Sequence, residues 1–224
     1  MPISIAIDGP AGAGKSTIAR RVAGKLGFIY VDTGAMYRAM ALFLLRKGID
    51  PTDAEAVSGR CREAQISIAY RDGEQVVLLN GEDVTPFLRA EEVGNMASVS
   101  SANPQVRVKL VELQQSLART ENVVMDGRDI GTVVLPQADL KIYLTASVEV
   151  RANRRYLELT KKGEAAVLSE IAAEIRERDE RDMTRAVSPL KQAEDAVLVD
   201  TSQMDIEQAT DAILALYGQR VEEA

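Results

Sequence analysis

The sequence predicts an α/β fold built on a parallel sheet. Three observations carry that expectation: short apolar segments, longer segments of helical period between them, and a glycine-rich motif at the first strand-to-helix junction. The apolar segments fall at 3–7, 28–31, 123–125, 140–144 and 196–199, so a sheet of five buried parallel strands flanked by helices is expected. Runs of Ile, Val and Leu suit strands covered on both faces. Strands one, two and three end at Asp8, Asp32 and Asp126, each followed by a turn. Ligand sites of open α/β sheets lie at such carboxyl ends. Segments 35–47, 104–119, 148–159 and 206–217 carry apolar residues at helical spacing, and Asn103-Pro104 is a helix start.

Gly9-Pro10-Ala11-Gly12-Ala13-Gly14-Lys15-Ser16 is a complete phosphate-binding signature in the strand-to-helix context that it needs. Its glycines let the backbone turn N–H groups inward around phosphate oxygens. Thr17, Ile18, Ala19 and Arg20 then begin a helix whose positive end faces the same anion. Lys15 is expected to neutralise β/γ-phosphates, and the Ser16 hydroxyl is the candidate magnesium ligand. Asp126 is a second candidate for holding magnesium, through water; its other reading is an anchor for the loop.

With 224 residues, 46% of them hydrophobic, the chain is long enough for one substantial core. Aromatics make up only 4% and Trp is absent, so aliphatic side chains must fill the interior. A net charge of −7 argues against broad attachment to nucleic acid, which needs a clustered positive field. The single cysteine, Cys61, allows no intrachain disulfide; it lies in a stretch suggesting a helix and reads as a small buried hydrophobe. Histidine is absent, which excludes Ser/His triads, histidine bases and nearly all zinc sites. No basic segment followed by an apolar run opens the chain and no stretch approaches a membrane span, so a cytoplasmic location is expected.

Between about 65 and 84 the pattern changes to alternation, with turn signals at Asp72-Gly73 and Asn80-Gly81. A small antiparallel three-stranded insert is expected, with either a structural role or a share in a second-substrate pocket. Segment 151–185 is the most charged part of the chain and reads as a helical hairpin, with Gly163 at its tip and Arg151 and Arg155 on one helix face. It is either a solvated hairpin or a lid that closes arginines over phosphates. The final residues, 220–224, are expected to fray.

A phosphate loop alone does not choose among GTPases, mechanical ATPases and small-molecule kinases. The Asn-Lys-x-Asp guanine-reading motif is absent, whereas two segments rich in arginine and hydroxyl groups follow core strands: Asp32-Thr33-Gly34-Ala35-Met36-Tyr37-Arg38 and Asp126-Gly127-Arg128-Asp129-Ile130-Gly131-Thr132. With the run Glu177-Arg178-Asp179-Glu180-Arg181-Asp182 and the stretch Arg185-Ala186-Val187-Ser188-Pro189-Leu190, these make the chain resemble the bacterial cytidylate kinases over nearly its whole length.

The resemblance implies a P-loop nucleoside monophosphate kinase fold and transfer of the γ-phosphoryl group of ATP to CMP or dCMP with magnesium. It implies a division into a core (1–60, 100–150 and 190–224), a monophosphate-binding insert (61–99) and a lid (151–189). Arg38, Arg128 and Arg185 match acceptor-phosphate arginines. Thr33, Ser98, Arg107 and Asp129 match positions around the cytosine, and Arg178 and Asp182 match residues near the sugar. Lys15, Arg155 and Arg185 are the candidates for transition-state stabilisation, since phosphoryl transfer needs alignment and positive charge rather than a histidine base. A monomer is expected.

Several residues keep a second reading. Arg107 could merely cover its helix, Asp129 could be a helix cap, Asp182 could be only the lid partner of Arg178, and Arg151 either stacks on adenine or sits on the surface. Rival functions are a kinase of UMP, AMP or another small acceptor, and an ATP-dependent regulatory switch whose insert binds a partner.

Overall fold

The computed structural model describes residues 2–222. In chain order the elements are β1 (Ser4–Asp8), α1 (Lys15–Leu26), β2 (Ile29–Asp32), α2 (Thr33–Arg46), α3 (Ala54–Arg60), β3 (Ile66–Arg71), β4 (Glu74–Leu79), β5 (Glu82–Asp83), α4 (Glu91–Ser100), α5 (Pro104–Thr120), β6 (Val123–Gly127), β7 (Leu140–Thr145), α6 (Val148–Lys161), α7 (Leu168–Thr184), β8 (Val197–Asp200) and α8 (Ile206–Glu222). A five-stranded parallel sheet has the order β2-β6-β1-β7-β8, and a separate three-stranded sheet has the order β3-β4-β5. The chain groups into two compact units, one reaching up to Tyr30 and resuming at Glu121, the other Val31–Thr120.

In the first unit, β1 runs between β6 and β7 with Ile7 opposite both Asp126 and Ile142. Being central, it is buried along Ile5, Ala6, Ile7 and Asp8, which is why its sequence does not alternate. Ile18, Val22, Ile142, Leu144, Ala209 and Ile213 close over it as one core. Burial of this aliphatic set supplies the hydrophobic free energy, about 25 cal/mol per Å² of apolar surface removed from water. Helix α8 continues to Glu222, with Arg220 donating to the carbonyl of Asp139 at 3.1 Å, so the fraying expected from 220 does not begin there. Residues 223 and 224 lie outside the described residues.

In the second unit, Asp32 caps α2 by accepting from the Ala35 N–H at 2.9 Å, as a carboxylate at that position should. Gln75 on β4 brackets the same residue, accepting from the Asp32 N–H and donating to its carbonyl. The meander forms as expected, although β5 is only two residues long. Its two tight turns carry positive φ at Asp72 and Gly73 and at Asn80 and Gly81, the backbone that twisted hairpins require. Asn103 opens α5, accepting from the N–H groups of Gln105 and Val106, and its amide ties α3 to α5 by donating to the Ala54 carbonyl. Cys61 is buried just beyond α3, in a short 3-10 turn, and burial pushes its thiol up, as suits a packing residue.

Gly9 leaves β1 with φ +149, and a Cβ there would lie 1.9 Å from the Leu144 carbonyl oxygen of β7. Strain and backbone clash act together, so Gly9→Ala should lower unfolding free energy by roughly 1–3 kcal/mol or more, read from a urea melt. An unchanged midpoint would show that β7 yields without cost.

Asp8 supplies a second expectation. Burial pushes its carboxyl from 3.8 up to about 6, although N–H bonds from Gly131 and Ile130 pull the other way. The folded chain thus holds this proton more tightly than the unfolded chain. The resulting stabilisation is fully present below the unfolded value and is lost as pH rises through the folded one. The stability of the natural protein relative to Asp8→Asn should therefore fall by about 2 kcal/mol between pH 4 and 7. Parallel stability curves for the two would overturn this.

Candidate active site

The phosphate loop is shaped by positive φ at Gly9, Gly12 and Gly14, and Gly14 forms the N-cap of α1. Helix α1 begins at Lys15 itself, so the first turn of N–H groups without helical partners starts at the motif's own lysine. The buried Lys15 ammonium donates to the Pro10 carbonyl at 2.7 Å. Burial and the neighbouring Arg128 guanidinium push it well below the usual ammonium range, while Asp126, Asp8 and Asp182 oppose that shift. Two cations therefore converge beside the loop, the arrangement that an anion relieves.

Ser16 donates to Asp126 Oδ2 at 2.9 Å, and Tyr30 donates to Asp126 Oδ1 at 2.9 Å. Arg20, one turn along α1 from Ser16, stacks its guanidinium 5.2 Å from the centre of the Tyr30 ring. A closed circuit Ser16–Asp126–Tyr30–Arg20 thus orients the carboxylate. A hydroxyl and a carboxylate, both hard oxygen donors beside a phosphate loop, fit magnesium, which takes few protein ligands and completes its shell with phosphate and water. Among the described residues no group of three or more acidic, histidine or cysteine side chains could hold a metal by itself.

After β6 the chain passes through Arg128 and Asp129 into a π-helical turn, Ile130–Val134. Such turns are rare and recur at functional sites. Arg128 Nε donates to Asp182 Oδ2 at 2.8 Å, and Arg185 Nη2 lies 3.8 Å from Asp129 Oδ1. Asp182 is thereby engaged with Arg128 across the fold. Asp129 stands at the N-cap position of the π turn but makes no side-chain cap bond, so the cap reading is corrected. The cap is supplied by Asp8, whose carboxylate oxygens accept from the N–H groups of Ile130 (2.8 Å) and Gly131 (2.7 Å).

The charged hairpin is present as α6 and α7, with positive φ at Gly163 between them. Arg151 is only 4% exposed, which corrects its surface reading. It donates to the carbonyls of Ala146 (2.9 Å) and Ala11 (3.0 Å) and to Asp179 Oδ2 (2.7 Å), so it ties the phosphate loop to both hairpin helices. Arg154, which sequence periodicity did not single out, reaches the Ala13 carbonyl at 3.4 Å and the Thr201 carbonyl at 2.8 Å. Arg155 instead lies outward with its side chain 48% exposed, paired with Glu158 at 3.0 Å. Arg178 is exposed on α7.

In the second unit Thr33 is the buried first residue of α2, Arg38 lies half-buried one turn on, and Ser98 is half-buried on α4. Arg107 is buried on α5, with its guanidinium 5.5 Å from the centre of the Tyr37 ring and Nη1 3.4 Å from the Ser101 carbonyl. The reading in which it merely covers its helix is therefore corrected. Sequence reasoning assigns no site role to Asp8, Tyr30, Arg154 or Asp179, although it places Asp8 at a strand end next to the glycine-rich loop, where ligand sites lie.

A family model described as cytidylate kinase matches residues 5–219. The cytidylate kinase of Desulfitobacterium hafniense (strain Y51) is 51% identical over 98% of this chain and 94% of that protein. The cytidylate kinase of Caldicellulosiruptor bescii is 49% identical, covering 96% of this chain and 95% of that protein. Among solved structures, an uncharacterized protein from Eubacterium ventriosum ATCC 27560 aligns with a TM-score of 0.52 at 11% identity, covering 96% of this chain and 97% of that one, a likeness of fold alone. A phosphate loop at the carboxyl end of β1, an arginine–carboxylate loop after β6 and a match running almost from end to end lead to one conclusion: the chain belongs to the cytidylate kinase family.

Proposed function

We propose that the chain transfers the γ-phosphoryl group of ATP to CMP or dCMP, giving ADP and CDP or dCDP. The observation that carries the reading is the convergence of the buried Lys15 ammonium and the Arg128 guanidinium beside the phosphate loop, with Arg128 and Arg185 each set against a carboxylate. Gly9 to Thr17 cradle the ATP phosphates through backbone N–H groups, and Lys15 exchanges the Pro10 carbonyl for the β/γ-phosphates. Arg151 braces that loop through Ala11 and remains the candidate beside the adenine.

Arg128 and Arg185 hold the acceptor phosphate in the first unit, where Asp129 accepts from the cytosine amine and Arg178 and Asp182 meet the sugar. In the second unit Arg38 is assigned to the acceptor phosphate and Thr33, Ser98 and Arg107 to the base. The acceptor oxygen bonds to the γ-phosphorus as its bond to the β–γ bridging oxygen breaks. A monophosphate is largely ionised at neutral pH, so no proton need be abstracted. Lys15 and Arg185 meet the charge developing on the transferred group, and Arg155 joins them when the hairpin, 151–189, closes as a lid. Ser16 and, through water, Asp126 would hold magnesium, which would supply charge neutralisation of the phosphates. Segment 61–99 serves as the monophosphate-binding insert, and the enzyme acts as a cytoplasmic monomer. No described helix is long and apolar enough to cross a membrane.

Uracil lacks the amine that Asp129 accepts, which leaves a buried acceptor unmet at roughly 1–3 kcal/mol. ADP formation should therefore be strong with CMP and dCMP and weak with UMP or AMP, and Arg185→Ala should slow it by about 10²-fold or more. Hydrolysis independent of acceptor, or equal use of UMP, would sink the reading. Removing divalent ions with EDTA should abolish turnover, and Asp126→Asn should raise the magnesium concentration needed for half-maximal rate. An unchanged magnesium requirement in that variant would remove Asp126 from the metal site.

A further inference from the structure

Asp8 is a buried acid that the transfer itself does not use, yet both of its oxygens are committed to the turn that follows the acceptor residues. The N–H groups at the start of a helical turn have no partner within it, and burying them unmet would cost about 1–3 kcal/mol each. The residue placed to cap this turn locally is Asp129, one position before Ile130. The cap comes instead from Asp8, 122 and 123 residues away, at the end of β1 and directly before Gly9. Asp129 then presents its carboxylate toward Arg185 rather than to its own backbone. Gly131 lies against this acid and Lys141: a Cβ there would stand in ordinary contact with Asp8 Oδ2, at 3.5 Å, and closer to Lys141 Cδ, at 3.1 Å.

We propose that Asp8 is the positioning residue of the acceptor half of the site, capping the 130–134 turn in place of Asp129 and holding Arg128 and Asp129 in register with the phosphate loop. The inference rests on the acceptor roles proposed above for Arg128 and Asp129. Asp8 acts through them and touches neither nucleotide. Within β1 the residue is joined to the donor loop by a single peptide bond, so its two acceptor bonds fix the acceptor loop against the backbone that binds ATP.

A positioning role separates acceptor from donor kinetics, whereas general loss of structure does not. Asp8→Asn keeps the side-chain shape but replaces one oxygen by a donor, so only one of the two N–H groups can be met. A displacement of ångström size in the reacting groups is enough for large rate effects. The KM for CMP should rise about tenfold or more and kcat should fall, while the KM for ATP stays within about twofold of the natural value. Direct titration of CMP by calorimetry should show the same weakening. Asp8→Ala, which removes both acceptors and leaves both N–H groups unmet, should shift the parameters in the same direction and further. Equal changes in both KM values, or none in either, would overturn the positioning role. Failure of the natural enzyme to phosphorylate CMP at all would instead overturn the underlying assignment of function, so the two failures are distinguishable. If either variant is poorly folded, its folded fraction from circular dichroism is used with the other variant's KM ratio, which does not depend on active concentration.

Discussion

Burial of charge at the carboxyl end of the parallel sheet is the constraint on which the rest of the first unit depends. Asp8, Lys15, Asp126, Asp129, Arg151 and Asp179 are all nine-tenths or more buried. Removing ions from water costs several kcal/mol each unless geometry returns it, and each of these groups has a hydrogen bond or an opposite charge beside it, although Asp179 Oδ1 itself has no hydrogen-bond partner. The bonds that meet them are also the ones that join the loops. Asp8 binds the β6 loop to β1, Asp126 binds α1 to β6, and Arg151 binds the phosphate loop to the hairpin. The aliphatic core holds the strands together, but it has no means of specifying where a loop lies to within a hydrogen bond. The buried ions do that, because a loop displaced by an ångström would leave one of them unmet.

The strands and long helices were legible because each is a local pattern. A central parallel strand must be continuously apolar, and an amphipathic helix must repeat every three to four residues. The predicted segments 140–144 and 148–159 accordingly correspond to Leu140–Thr145 and Val148–Lys161. The loop motif was legible because its glycines are demanded by backbone φ. What could not be read was the register of one element against another. Arg151, Arg154 and Arg155 all lie within little more than one turn of α6, and their spacing is equally compatible with any of them facing the phosphate loop. The fold gives that place to Arg151 and Arg154 and turns Arg155 toward Glu158. The exchange of caps between Asp129 and Asp8 was hidden for the same reason, since the local rule names Asp129 and the bond spans more than a hundred residues.

The pairing of the β6 loop with the end of α7 explains how one ligand could engage both. Consecutive residues Arg128 and Asp129 face Asp182 and Arg185, so the signs alternate across the contact. These side chains are partly shielded, which makes each ion pair stronger than a surface pair yet leaves it exchangeable. On the proposed reading, a phosphate that draws off the arginines releases two carboxylates, which then need donors. A nucleoside monophosphate brings both, because its phosphate accepts from arginine while its amine and hydroxyl groups donate to carboxylate. Inorganic phosphate satisfies the cations and leaves Asp129 and Asp182 unmet; a neutral nucleoside does the reverse. The alternation of charge therefore favours a molecule with acid and donor groups at a fixed separation, and this selection operates before any phosphoryl transfer begins.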